Sequence, residues 1–358
     1  MLMNEFLKNI HLKNKFEIIK FAKSVVSSST SLKDFFQEIF IIVASYKDVK
    51  LNNQNFYDHP LIDLNSLKNI ASLNLKNPSY EIVLKAIDVL LNIPSQKINL
   101  KNKKVELDSQ MLNSPLLTNI FIKSVLQNNH KTAKLEASKI IAMSDNPISV
   151  LEVLMELSIP NFNLLGPLTY SIYRSGRFAN SEFMIFINIL IESNITFNYE
   201  KNLNKVDTDP IVFFPILNEE NQNFNSLVLY AIGLRLWNYE SPRQLNFQNN
   251  IISFFEKNFK VNQNKNNQFK VSKKSVNSLI EGLDKKDPIL ISSFLYHSKS
   301  SSTWNWPVDL VMRYDNNSNM THKYLFIDSI QFLIKNLNND YLFLLSEYLI
   351  SFDQHLSK

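Results

Sequence analysis

The sequence predicts an all-α protein, built as a right-handed α-solenoid of stacked helical hairpins. Three observations predict it. Glycine is scarce: only Gly166, Gly176, Gly233 and Gly282 occur in 358 residues, against roughly 7% in an average protein. Doubly wound folds need glycine in their phosphate loops, and β proteins need it in turns and bulges. Apolar residues recur at helical spacing over most of the chain. The periodic stretches come in pairs, joined by short Asn, Ser and Pro turns. A lone hairpin of this size has no partner for its apolar face, and stacking supplies one.

The elements follow in order. The N-terminal stretch to Lys33 carries six lysines and two acids. It reads either as an organellar presequence or as a first amphipathic helix carrying Phe16, Ile19, Lys20 and Lys23. The apolar stretch Phe35–Tyr46 contains Glu38 and is too short to span a bilayer, and no uncharged run reaches spanning length. Tyr80–Leu91 places Ile82, Ala86, Val89 and Leu90 on one stripe, between Pro78 and Pro94. Thr118–Leu126 and Thr132–Met143 pair around Asn128, Asn129 and His130, and Ile148–Leu157 is stopped at Pro160. Leu164–Arg174 and Asn180–Ile195 pair around a Ser175, Gly176, Arg177 turn. Ser226–Trp237 pairs with Asn246–Phe259, Val276–Leu283 with Pro288–His297, and Lys323–Leu337 with Asp340–Phe352. These pairs divide the chain into an N-terminal helical region (1–110), a repeat core (111–260) with an inserted loop (199–225), a basic linker (261–275) and a C-terminal helical region (276–358).

Composition narrows the chemistry. Hydrophobic residues make up 45% and charged residues 20%, enough apolar material for a packed core. There is no cysteine, which excludes disulfides, zinc–thiolate sites, iron–sulfur clusters and thiol catalysis within these residues. The formal charge is +5. Spread over the whole chain, it permits nucleic-acid contact without demanding it. Lys257–Lys274 concentrates six lysines with Phe259 and Phe269 and no acid. It reads either as an electrostatic groove with stacking residues or as a solvated connector.

The stretch Ile159–Asn198 contains a first helix with Tyr170 and Tyr173, the Ser-Gly-Arg sequence at 175–177, the small residue Ala179, a second helix, and a closing Ile195-Thr-Phe-Asn that echoes Ile159-Pro-Asn. In these features it resembles a pentatricopeptide repeat, a helical hairpin of roughly 35 residues. Leu117–Ile141 looks like a second, poorer copy. The resemblance covers about 80 residues and departs from the family in two ways: the helix Ile148–Leu157 intervenes, and Gly166 and Pro167 stand where a base-reading polar residue belongs. The resemblance implies binding of single-stranded RNA along a concave surface, in organellar RNA maturation or translation, with a mitochondrial matrix location. It implies base contacts from Asn119, Asn163 and Tyr170, and phosphate contacts from Lys123, Lys131, Arg174 and Arg177. Each of these residues also has an ordinary reading as cap, packing or surface residue.

Local catalytic and metal motifs are missing. No two of the six histidines (11, 59, 130, 297, 322 and 355) stand three or four apart. No His-Glu-x-x-His, Walker, Gly-x-Ser-x-Gly or Gly-x-Gly-x-x-Gly motif occurs. His59 with Asp58 reads as a metal pair or, before Pro60, as a turn residue. Trp304 and Trp306 read as a stacking or partner-anchoring pair, or as a cap on the helical stack. The sequence therefore predicts neither catalysis nor a metal or cofactor. It predicts an RNA-binding or ribonucleoprotein-associated factor, with a protein-assembling scaffold as alternative. An enzyme assembled from distant histidines such as His59, His130 and His297 is the third class.

Overall fold

A computed structural model describes residues 15–52, 56–93, 114–144, 146–180, 182–193, 195–197, 208–215, 224–259, 278–299, 305–315 and 322–356. The basic linker and most of the inserted loop lie outside the described residues. The first helices are α1 (Lys15–Val25), α2 (Ser29–Ala44), α3 (Leu61–Ala71) and α4 (Tyr80–Leu91), with a two-residue antiparallel ladder between β1 (Lys50–Leu51) and β2 (Tyr57–Asp58). Then come α5 (Ser114–Leu126), α6 (His130–Met143), α7 (Ser149–Ser158), α8 (Phe162–Ala179) and α9 (Phe183–Glu192). The chain continues through α10 (Phe224–Trp237), α11 (Gln244–Asn258), α12 (Leu279–Lys285), α13 (Pro288–Lys299), α14 (Trp306–Arg313), α15 (Lys323–Asn336) and α16 (Leu342–Leu356). The all-α prediction holds.

The scarcity of glycine shows in the turns. All the left-handed backbone positions among the described residues are taken by other types: Asn128, Asn180, Glu182, Lys286 and His322. Asparagine tolerates this region better than most residues. Asn128 closes α5, and the Asn129 side chain then accepts the Thr132 N–H to cap α6. The glycines serve packing instead. A Cβ on Gly176 would lie 2.7 Å from Leu151 Cδ1 and 3.3 Å from Phe186 Cγ, so its absence lets α8 approach α7 and α9. This corrects the predicted Ser175-Gly176-Arg177 turn. Those residues are helical, α8 runs on to Ala179, and the chain turns at Asn180 (φ 51°).

The amphipathic faces are mostly as read, with one correction. On α1 the buried residues are Ile18, Ala22 and Val25, whereas Phe16 and Ile19 are exposed. The predicted stripe is rotated because α4 packs against the other side. The middle of the predicted inserted loop is no solvent loop. It forms a 3₁₀ turn (Pro210–Phe213), and Phe214 is fully buried among Tyr230, Tyr341 and Tyr348.

Hairpin neighbours pack as predicted in α5–α6, α8–α9, α10–α11 and α12–α13, and α7, read as an unpaired helix, packs on α8. The long-range contacts are not those of a linear stack, in which each unit touches only its neighbours. Helix α3 packs on α8 and α15, and α10 packs on the same two helices. The four helices therefore form a closed circuit, joining the predicted N-terminal, central and C-terminal regions in one core. Helix α10 is buried nearly all round, as its central place requires.

Candidate anion-binding groove

The circuit of four helices is tied by one buried ion pair. Arg235 on α10 donates from Nη1 to Asp328 Oδ2 (2.7 Å) and from Nη2 to Oδ1 (2.9 Å) and to the Asp328 carbonyl (3.0 Å). Asn69 on α3 donates to Asp328 Oδ2 at 2.9 Å. Phe332 lies 4.5 Å beneath the guanidinium, and Tyr170 of α8 flanks it at 6.0 Å. Each helix of the circuit contributes a group. Above the pair opens a cavity of about 490 Å³, bordered by Arg174, Tyr239, Asn238, Lys335 and Asn336.

A second cavity of about 470 Å³ shares Arg174 with the first. It is lined by Lys33 and Gln37 of α2, Lys68 of α3, and Arg174, Arg177, Phe178 and Asn180 at the end of α8. Four basic side chains converge here, and among the described residues the lining holds no carboxylate. Basic residues near helix C-termini complement the macrodipole, which suffices to explain exposed Arg177. It does not explain Lys33, near the start of α2, or the burial of Lys68. Lys68 is 7% exposed, its ammonium sits 5.0 Å over the Phe178 ring, and among the described residues it has no ion-pair partner. Burial lowers its pKa to about 7, and Arg174 adds to the shift by repulsion. Arg174 Nε is buried and has no hydrogen-bond acceptor among the described residues. Arg177 stacks on Tyr239 at 4.6 Å. Buried cations without partners are costly unless something anionic meets them.

The sequence-predicted residues divide. Arg174 and Arg177 meet in this cavity. Tyr170 is 3% exposed and engaged with Arg235, so its ring is not available to stack on a base. Asn163 is exposed in the first turn of α8; Asn119, Lys123 and Lys131 are exposed on the α5–α6 hairpin and line none of the cavities described here. Trp306 is 2% exposed and belongs to the core, which corrects its reading as a partner anchor. Trp304 lies outside the described residues. The sequence reading missed Lys33, Lys68, Arg235 and Asp328. A signal was available for Arg235, the single charge in the apolar helix Phe224–Trp237. Its partner, 93 residues onward, left none.

A separate cluster holds the N-terminus of α15 to the β1–β2 ladder. His322 has a left-handed backbone (φ 65°, ψ 30°) and is 5% exposed. Its Nδ1 lies 3.3 Å from Asp63 Oδ1, and its Nε2 contacts Asp58 Oδ1 at 2.9 Å. Burial opposes its charge, but the Asp63 and Asp58 carboxylates overcome this and raise its pKa to about 10. His59 in the same 260 Å³ pocket is the opposite case. Burial lowers its pKa to about 4. Its Nδ1 accepts the Leu61 N–H, so Nε2 carries the proton and donates to the Tyr46 carbonyl at 2.7 Å. His59 is thus the turn residue that opens α3. Among the described residues no three histidine or carboxylate groups form a metal-binding cluster. His130 and His297 lie elsewhere, His130 in a small apolar pocket beside Val125 and His297 exposed on α13.

The sign of the His322 effect is fixed by its raised pKa. Its contribution to stability is complete below about pH 6.5 and is lost progressively as pH rises toward 10. His322→Gln is therefore expected to destabilise most near pH 6 and least near pH 10. Denaturant unfolding of both proteins across that range measures the difference. A pH-independent difference would remove the imidazolium from the account.

The chain matches no family model, no curated protein and no solved structure.

Proposed function

We propose that this protein binds single-stranded RNA, or an RNA within a ribonucleoprotein, through the groove formed by the two joined cavities. The single observation that carries the reading is the convergence of Lys33, Lys68, Arg174 and Arg177 on a cavity whose lining, among the described residues, has no carboxylate. Such a cavity matches phosphate oxygens, which dominate nucleic-acid affinity. Exposed Asn238 and Asn336 and half-buried Asn69 border the adjoining cavity and offer donors and acceptors to base edges. A role in RNA maturation or translation in the mitochondrial matrix rests on the pentatricopeptide resemblance.

The test compares two basic surfaces by fluorescence anisotropy with a single-stranded RNA. Arg174→Gln with Arg177→Gln is expected to reduce affinity at least tenfold and to flatten the salt dependence by about 1.4 log units per log unit of salt. Lys123→Gln with Lys131→Gln, on the α5–α6 hairpin, is expected to change affinity less than threefold. Equal losses from both pairs would dissolve the groove into general basicity.

The scaffold reading draws on a different surface. Leu116, Leu135 and Met143 on α5 and α6 are 50%, 41% and 45% exposed. Apolar side chains grouped on one hairpin suit a protein partner. That surface and the groove are compatible in one molecule.

A further inference from the structure

We infer that the cavity of Lys33, Lys68, Arg174 and Arg177 takes a phosphomonoester, a terminal dianionic phosphate, rather than an internal phosphodiester of the strand. This deepens the RNA reading and rests on it for the identity of the polymer. Charge carries the argument. An internal phosphodiester holds one negative charge, and successive ones follow the strand at intervals, so a groove that tracks a backbone spreads its cations. Here four cations from three helices converge on a single cavity of about 470 Å³. A phosphate monoester carries about −1.5 to −2 charges at neutral pH and three strong acceptor oxygens. It meets the convergent set with a better balance.

Burial is the second and independent observation. Lys68 is more than nine-tenths buried, and among the described residues it has no ionic partner and Arg174 Nε has no acceptor. A strand that only passes over the surface would leave both unsatisfied. A phosphate in the cavity faces the Lys68 and Arg174 side chains that line it, and desolvation there strengthens each charge-assisted hydrogen bond. Of the carboxylates that act on these cations, Asp328 is held by Arg235 and Asn69, and buried Glu152, which feels Arg243 and Arg177 electrostatically, lies outside the lining of the cavity. The cavity adjoins the asparagine-bordered one through Arg174, so a terminal nucleotide seated by its phosphate places its base in the neighbouring space.

Entry of a dianion draws Lys68 to its charged form, so binding takes up a fraction of a proton at neutral pH. The groups that act on Lys68 are Arg174, Arg235 and Asp328, with Lys33 and Arg177 across the cavity. Arginine and aspartate keep their charge across neutral and mildly alkaline pH. Affinity for the phosphomonoester is expected to fall between pH 7 and pH 9, and the fall is expected to be absent in Lys68→Gln.

The experiment measures binding of one short oligoribonucleotide in three forms, with a 5′-phosphate, with a 3′-phosphate and with hydroxyl ends, to the full chain at constant salt. Adenosine monophosphate and inorganic phosphate serve as competitors. One phosphorylated form is expected to bind about tenfold tighter than the hydroxyl form, and Lys68→Gln or Arg174→Gln is expected to abolish that advantage. Equal affinity of all three forms would overturn the inference and leave the RNA reading standing. Binding of adenosine monophosphate or inorganic phosphate without binding of any oligonucleotide would uphold the phosphomonoester pocket and overturn the RNA reading. No binding of any probe would overturn both.

Discussion

Arg235→Met is expected to destabilise the fold by about 3–5 kcal/mol, because it strands a buried carboxylate. Asp328 is fully buried and Arg235 nearly so, with side-chain exposures of 0% and 10%. Methionine matches the length of the arginine stem and keeps the contact with Phe332, so lost packing contributes little. What is lost is the forked donation to both Asp328 oxygens, leaving Asn69 as the remaining side-chain donor. Arg235, Asp328 and Asn69 come from three of the four circuit helices, so the loss is felt globally. Thermal unfolding is expected to drop by roughly 5–10 °C. The double variant Arg235→Met with Asp328→Leu removes both charges and is expected to recover most of the loss. A single variant as stable as the parent would show that the ion pair does not hold α3, α10 and α15 together.

Lys68→Met is expected to act in opposite directions on stability and on binding. The parent keeps an unpaired ammonium out of water, so methionine is expected to stabilise the fold by about 1–2 kcal/mol. The same change is expected to weaken RNA binding about tenfold or more, because it removes the most buried cation of the groove. A packing residue would lose stability on substitution, and a surface lysine would change neither quantity. The pH dependence adds a check. Because burial lowers the Lys68 pKa to about 7, the unfolded chain binds more protons between pH 7 and about 10.5, and parent stability gains with pH in that window. The advantage of Lys68→Met is therefore largest at or below pH 7 and fades toward pH 10.5. His322 loses stability over much of the same window, so the two effects oppose each other in the parent. Only the difference between each variant and its parent separates them.

The helices were legible because the signal for them is local. Tyr80–Leu91 was read with its boundaries intact, and Asn128–Asn129 was recognised as a turn from residue type alone. The turn at Ser175–Arg177 was misread because a glycine there suggests a break. Gly176 in fact accommodates Leu151 and Phe186, which are far away in sequence. The closed circuit was not legible, since nothing in Asn69 or Asp63 points to partners more than 250 residues onward. Arg174 and Arg177 come from the pentatricopeptide resemblance, which implies phosphate contacts at the end of the first helix and in the turn after it. Their cavity needed Lys33 and Lys68 from two other helices, and no local pattern connects those. Lys68 was nevertheless visible as a charge on the apolar side of Leu61–Ala71, together with Leu61 and Leu64. A lone lysine in that position is the kind of local conflict that marks a site.

The most direct test of the central claim is titration of the full chain with a single-stranded RNA at 50 mM and at 200 mM salt. The groove predicts an affinity that falls with salt, by about fifty-fold if the four cations neutralise four phosphates of the strand and by about sevenfold if they share one dianionic terminus. No binding at the lower salt, or binding indifferent to salt, would contradict the groove as a phosphate site and leave the exposed α5–α6 surface as the functional face.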